Sequence, residues 1–248
     1  MTMRWKCICS YDGSSFHGWQ SQANARGVQD EIEEGLASIL KKPVRIHGSG
    51  RTDTGVHALG QVFHFDADWR HGGGRLAAAL RRRLPTSILV KSAVVASPGF
   101  HARFDAVGKR YHYRIVVGAV EPHEVATCLA VRAPLSLDLM EETARMLLGR
   151  HDFAAFSAGN GDVIEDTTKD LRLLRMTRRG RRMKITLEAS GFLYHMARSL
   201  VGVLLSVGMK RLDPDDVRRV LESGNRIPKI ETTPARGLFL EKVFYPRK

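Results

Sequence analysis

Apolar and polar residues alternate from Met3 to Tyr11, a period of two that puts successive side chains on opposite faces and predicts a strand. The period then lengthens. Val28, Ile32, Leu36, Ile39 and Leu40 make one apolar stripe, which predicts a helix ending before Pro43, with Asp30, Glu31, Glu33 and Glu34 on its other face. Between the two, SYDGSSFHGWQSQ is rich in Gly and Ser and reads as a loop carrying Phe16 and Trp19. Short strands are expected at 44–47 and 61–65, the latter with Val62 and His64 facing one way and Phe63 and Phe65 the other. A helix is expected over 76–84, stopped by Pro85, followed by strands at 88–95 and 111–117 and an irregular stretch at 118–134. Further on, the pattern predicts a helix at 137–148 closed by Gly149 and a polar, mobile loop at 157–168. Strands at 171–177 and 183–189 form a hairpin whose tip carries Arg178, Arg179, Arg181 and Arg182. An apolar helix at 192–207, a helix at 215–222 capped by Asp213 with Pro214, and a strand at 238–245 complete the chain.

Strand–helix–strand order thus occurs twice, around 3–115 and 135–245, without residue-level repetition. The expected class is α+β: two similar halves, 1–117 and 118–248, built on mixed, mostly antiparallel sheet. No Pro- or Ser-rich linker separates the halves, so one shared sheet and two detached domains are both open.

Composition narrows the function. At 248 residues, 43% hydrophobic and 26% charged, the chain is a folded globular protein rather than a disordered tail, a collagen-like fibre or a membrane bundle. Lys and Arg number 39 against 26 Asp and Glu, a net charge of +13. Such an excess concentrates polyanions, and with no basic amphipathic helix of wide apolar face the expected partner is nucleic acid rather than a bilayer. The acidic flank of the 28–40 helix is then expected to lie behind a sheet whose other face meets the phosphates. Three cysteines, Cys7, Cys9 and Cys128, make no C-x-x-C pair and fit a reducing cytosol. Neither the N-terminus nor the longest apolar run resembles an export signal or a membrane span, so a cytoplasmic protein is expected.

The densest mixture of glycine with ionisable groups is Gly48-Ser49-Gly50-Arg51-Thr52-Asp53-Thr54-Gly55-Val56-His57. Glycines let backbone approach a ligand, and an Asp beside an Arg stays ionised, as a nucleophile or base must. The bland alternative is a turn with a local ion pair. A phosphate-cradling P-loop is not supported, since no G-K-[ST] follows.

At this loop the chain resembles a known family. GRTDTGVHALGQVFHF is similar to the signature of the tRNA pseudouridine synthase A family, usually GRTDAGVHA followed by GQV and an apolar strand. YDGSSFHGWQSQ with VQDEIEEGL, FHARFDAVGKRYHYRI, HDFAAFS, GFLYHMARSLVGVLLSVG and TTPARGLFL match in the same order, covering the chain from Tyr11 onward. The resemblance implies two halves sharing a sheet, helices behind it and a central catalytic cleft. It also implies an isomerase that breaks the N-glycosidic bond of a tRNA uridine, turns the base and rejoins it through carbon. Asp53 stands at the position of the catalytic aspartate, Tyr111 at that of the tyrosine stacking on uracil, and Arg198 at that of the basic residue paired with the aspartate. Arg51 matches the signature arginine, whose plainer role is to fold the loop. A homodimer binding tRNA across both subunits, and uridines 38 to 40 of the anticodon stem-loop as targets, are implied likewise.

The chemistry is compatible with these residues. The isomerisation is redox neutral and needs no nucleotide, so no cofactor is expected, and one carboxylate suffices. A base that must leave its stack calls for a flat aromatic partner such as Tyr111. His57 and His64, seven residues apart with no Cys nearby, are read as satisfied loop or strand histidines rather than a metal site, as are His101 and His195. Phe192, Met196, Leu200 and Leu204 read as a buried helix face with Arg198 off it. Phe16 and Trp19 are core residues before they are RNA-stacking ones. Lys109, Arg110, Arg114, Arg178, Arg179, Arg181 and Arg182, with Arg81 to Arg83, are candidate phosphate contacts, although each cluster alone is more often a solvated face. Three departures stand out: Thr54 for the usual Ala, Arg81-Arg82-Arg83 where an Asn is usual, and Lys169-Asp170 where an Arg-Thr pair is common. A non-catalytic RNA-binding protein and a ribonuclease using His57 with Asp53 are the competing classes; the first predicts loss of Asp53, which is present, and the second lacks a local acid.

Overall fold

The computed structural model describes residues 2–159 and 166–246, so part of the expected mobile loop lies outside the described residues. Its contacts divide the chain into Met1–Val107 with Phe239–Lys248, and Gly108–Leu238. This division falls ten residues before the boundary expected at 117/118, and the last strand returns to the first unit.

In the first unit, β1 (Met3–Tyr11) is flanked by β3 (His57–Ala67) and β4 (Ile88–Val95), both antiparallel to it, while β10 (Leu238–Phe244) runs parallel to β3 at Phe239–His57 and Leu240–Ala58. β2 is only His47–Gly48, paired with His64 and Phe63; the strand expected at 44–47 is shorter and later, because Pro43 and exposed Arg45 leave no ladder. β3 extends well beyond the expected 61–65, since nearly every residue along it is buried and the two-face alternation disappears. Helix α1 (Val28–Leu40) buries Val28, Ile32 and Leu36 as its stripe predicts. Its acidic flank is neutralised locally: Arg26 pairs with Glu31 and Glu34, Arg45 with Glu33, and Asp30 accepts the Gly27 N–H. Helix α2 runs over Gly72–Arg81 instead of 76–84; three glycines in its first turn hid its start, and Arg81 leaves phosphate contact for structure by donating to Val90 O (2.7 Å) and Lys91 O (2.8 Å) on β4.

On β3, His64 is buried and its Nδ1 accepts the Ala102 N–H at 3.1 Å. Burial first, then the charges of His101, His47 and Arg4, push its pKa down to about 4, against a smaller opposite effect from Asp66. An unfolded imidazole titrates near 6.5, so between these values the unfolded chain binds more protons. The stability from neutral His64 is complete above that range and lost as pH falls through it. Thermal midpoints measured from about pH 7 to 4 should therefore fall more steeply in the wild type than in His64→Gln; equal slopes would contradict this.

In the second unit, β5 (Gly108–Val117) and β9 (Arg182–Ala189) are antiparallel, β8 (Thr168–Arg179) pairs with β9, and β7 (Gly149–Asp152) edges β8. β6 (Leu129–Val131) adds to β5 in parallel within the stretch expected to be irregular. Only Gly180 and Arg181 form the hairpin turn; Arg178, Arg179 and Arg182 belong to the strands. Helix α3 (Leu137–Leu147) ends before Gly149 as expected, and α5 (Pro214–Ser223) is capped by the Asp213 carboxylate on the Asp215 N–H. Helix α4 starts at Met196, not at 192, because His195 takes a left-handed conformation (φ 61°) and residues 191–195 run outside the helix. Every residue of α4 except Arg198 is buried. Each unit is thus a mostly antiparallel sheet with helices, an α+β fold.

Candidate active site

The loop 49–56 joins β2 to β3 in the first unit, and its anchors come from distant chain. Ser49 N donates to Val62 O (2.7 Å), Ser49 Oγ to Gln61 Oε1 (2.7 Å), and Gln61 Nε2 back to Gly50 O (2.9 Å). Trp19 N donates to Thr52 O (3.1 Å), and the buried hydroxyls of Tyr11 and Thr52 meet at 2.8 Å. The Val56 N–H closes a turn on Asp53 O at 3.0 Å. Two glycines permit this closeness. Gly18 (φ +87°) sits where a Cβ would lie 2.6 Å from Thr52 O, and a Cβ on Gly48 would meet the Trp19 indole at 2.5 Å. Trp19 and Phe16 are buried, so the loop aromatics are core residues. Asp53, half-buried, is carried on backbone fixed from both sides.

Arg51 is exposed and donates through Nε to Gln20 Oε1 (3.2 Å), not to the neighbouring aspartate. His57 is buried against Phe239 (ring centroids 4.5 Å, 16°); its Nδ1 accepts the Gly13 N–H at 3.1 Å, with Asp12 Oδ1 equally close. Burial pushes the Asp12 carboxyl up, but hydrogen bonds from Ser14 and the proximity of His57 outweigh it and hold the group below its ordinary value. His57 is thus the satisfied histidine its sequence context predicts. Among the described residues no group of three or more His, Cys, Asp or Glu is arranged to hold a metal.

In the second unit, Tyr111 lies on β5 opposite Leu187 of β9, 7% exposed, with its ring edge-to-face with Phe192 at 5.0 Å and 81°. Phe192 belongs to the 191–195 segment that precedes the helix. The second tyrosine of RYHY, Tyr113, is different: fully buried, it donates its hydroxyl to Pro234 O at 2.7 Å, and burial pushes its pKa up to about 12. Arg198, on the first turn of α4, donates through Nε to Thr233 O (2.7 Å), while Thr233 Oγ1 returns a bond to Arg198 O (3.0 Å). Sequence reasoning missed what secures this segment. Arg226 spreads its donors over Ala155 O, Ser157 O, Ser199 Oγ, Ile230 O and Thr232 Oγ1, tying the 230–233 segment to α4. No spacing signal marks it; five neutral acceptors on three segments appear only once the chain is folded.

The basic candidates separate. Arg110 pairs with Glu188 (2.6 Å) and Arg182 with Glu124, so both are partly neutralised. Arg178, Arg179 and Arg181 are exposed, and among the described residues they have no carboxylate partner; Arg178 donates to Gly180 O and Arg181 to Ala119 O. Lys109 is half-buried opposite Ala189, and Arg114 is exposed opposite Lys184. Lys169 bonds Asp166 and Thr168, and Asp170 pairs with Arg172, giving that departure from the usual pattern a local structural role.

In this α+β chain of net charge +13, a half-buried carboxylate thus stands on a loop anchored from both sides. Comparison with known proteins then fixes the family. The chain belongs to the tRNA pseudouridine synthase family, whose model matches residues 8–105 and 143–246. It is 41% identical to tRNA pseudouridine synthase A of Bacillus subtilis over 98% of this chain and 99% of that one. With the proteins of that name from Lactobacillus delbrueckii subsp. bulgaricus and Staphylococcus aureus it shares 40% identity (100% of this chain, 97% of the relative) and 39% (95% and 89%).

Proposed function

We propose that the protein isomerises uridine to pseudouridine in tRNA, at positions 38 to 40 of the anticodon stem-loop, with Asp53 as its catalytic carboxylate. The anchored loop presenting Asp53, in a chain whose residues 8–105 and 143–246 match this family, carries the reading. The bond from ribose C1′ to uracil N1 breaks, the base turns, C1′ joins C5, and the C5 hydrogen leaves as a proton. Asp53 acts as nucleophile or base on the sugar, Tyr111 as the surface for the turned base, and Arg51 and Arg198 as substrate contacts. The protein works as a homodimer in the cytoplasm and needs no cofactor. The test is tritium release from tRNA labelled at uracil C5, with EDTA present and no nucleotide added. Release under these conditions is expected; release that requires a divalent ion, with tRNA folding controlled, would contradict it.

The hairpin arginines, which have no carboxylate partner among the described residues, give a second expectation. Each phosphate contact contributes about 0.9 to the slope of log affinity against log salt for duplex nucleic acid. Replacing Arg178, Arg179 and Arg181 together with Ala should flatten the slope for tRNA by about 2 to 3. An unchanged slope would return them to the solvated-face reading.

A further inference from the structure

The motif FHARFDA has no part in the chemistry above, and its geometry is unusual. Phe100 is buried, its ring 5.2 Å from that of Tyr245, and its carbonyl accepts from Arg4 at 2.9 Å. Ala102, fully buried, donates to His64 Nδ1 and accepts the Tyr245 hydroxyl at 2.7 Å. Asp105 closes the turn, its carboxylate accepting the His101 N–H (2.9 Å) and its own N–H donating to His101 O (3.1 Å). His101 Nδ1 accepts the N–H groups of both Arg103 and Phe104, at 3.2 and 3.3 Å. Four residues of the motif are therefore occupied in shaping one turn; Arg103, Phe104 and Asp105 are exposed on it, and of these Asp105 is engaged by the His101 N–H.

Phe104 is 74% exposed. A scattered exposed hydrophobic residue is ordinary on a protein surface, so exposure alone decides nothing. What distinguishes this ring is that one of its faces is already packed. It stacks on His101 (centroids 4.2 Å, 27°), which packs against His64 (4.6 Å). The Arg103 guanidinium stands 5.8 Å from the Phe104 centroid, at the outer limit of a cation–π contact, and among the described residues it has no carboxylate partner. A flat ring already packed on one face loses little freedom on stacking, and an adjacent uncommitted guanidinium suits a phosphate oxygen. An unpaired nucleotide offers both features together, a free base face and a phosphate beside it. A duplex hides its base faces, and a second copy of the chain seated on this turn is the competing occupant that the oligomeric state of each variant tests.

We propose that Phe104 and Arg103 form a subsite for an unpaired nucleotide of the RNA substrate, the base stacked on the Phe104 ring and its phosphate on Arg103. The subsite rests on tRNA being the substrate. Stacking of a base on an aromatic side chain contributes about 1–3 kcal/mol, equivalent to roughly 5- to 150-fold in affinity, and carries no salt dependence of its own. The test is equilibrium binding of unmodified tRNA by the full chain across a salt series, with sedimentation velocity on each variant. Phe104→Ala and Phe104→Leu should weaken binding by that factor at an unchanged salt slope, while Phe104→Trp binds as well as wild type or better. Arg103→Ala should flatten the slope by about one. A blunt RNA duplex should bind Phe104→Ala as it binds wild type. Wild-type affinity in Phe104→Ala or Phe104→Leu would overturn the subsite, and so would a changed oligomeric state that accounts for the loss. A wild-type protein that releases no C5 tritium from tRNA would contradict the proposed function, an outcome separate from these.

Discussion

Tyr111→Ala is expected to lose turnover and stability together, whereas Tyr111→Phe keeps both close to wild type. The residue is 7% exposed, and its ring meets that of Phe192 edge to face, a contact that uses no more than part of the ring. Emptying it leaves a cavity next to the 191–195 segment, at a cost of about 3–5 kcal/mol for a large aromatic. The same change removes the flat surface on which a turned base is to rest, so turnover in the remaining folded fraction should drop by about a hundredfold or more. Phenylalanine retains shape, volume and stacking and deletes only the hydroxyl. Thermal midpoint, tRNA affinity and turnover on one preparation of each variant separate the effects. Tyr111→Phe with a wild-type midpoint and the inactivity of Tyr111→Ala would move the role from the ring to the hydroxyl, as a proton carrier.

Elements were legible in the sequence where one face of each meets water. β1 alternates buried and half-buried residues along its length, and α1 keeps its stripe, so both were found with the right limits. β3 is buried on both faces, so its first residues carry no alternation, and His57 and Ala58 read as the end of the preceding loop. β6 and β7 span three and four residues, and β7 (GRHD) is held by pairing with β8 rather than by any apolar signal. The start of α4 was misplaced because Phe192 continues the four-residue spacing of Met196, Leu200 and Leu204 but serves Tyr111 instead of the helix.

The candidate site shows the same limit. Its glycine-bracketed acidic loop is a local pattern and could be read directly. The groups that fix it are not local: Tyr11, Trp19 and Gln61 reach it through the fold, and Arg226 acts on the 230–233 segment by the same means. Charge counting identified a polyanion partner but not which arginines are available to it. Cross-strand pairing decides that, giving Arg110 to Glu188 while leaving Arg178 and Arg179 without a carboxylate among the described residues.

Asp53→Asn bears most directly on the central claim. The substitution keeps the size of the side chain and much of its hydrogen-bonding capacity, and the loop around it is fixed by backbone and by Thr52, so folding and tRNA binding should survive. Only the negative charge is removed, and with it the capacity to attack or deprotonate the sugar. Were Asp53 merely an ion-pair partner, the same change would strand a cation and lower stability while the folded fraction still turned over. The measurement is C5-tritium release from labelled tRNA by wild type and Asp53→Asn, alongside thermal midpoint and tRNA affinity for the same preparations. The account predicts a folded, tRNA-binding variant whose turnover is reduced at least about a thousandfold; a folded, tRNA-binding Asp53→Asn protein that releases tritium at near the wild-type rate would contradict it.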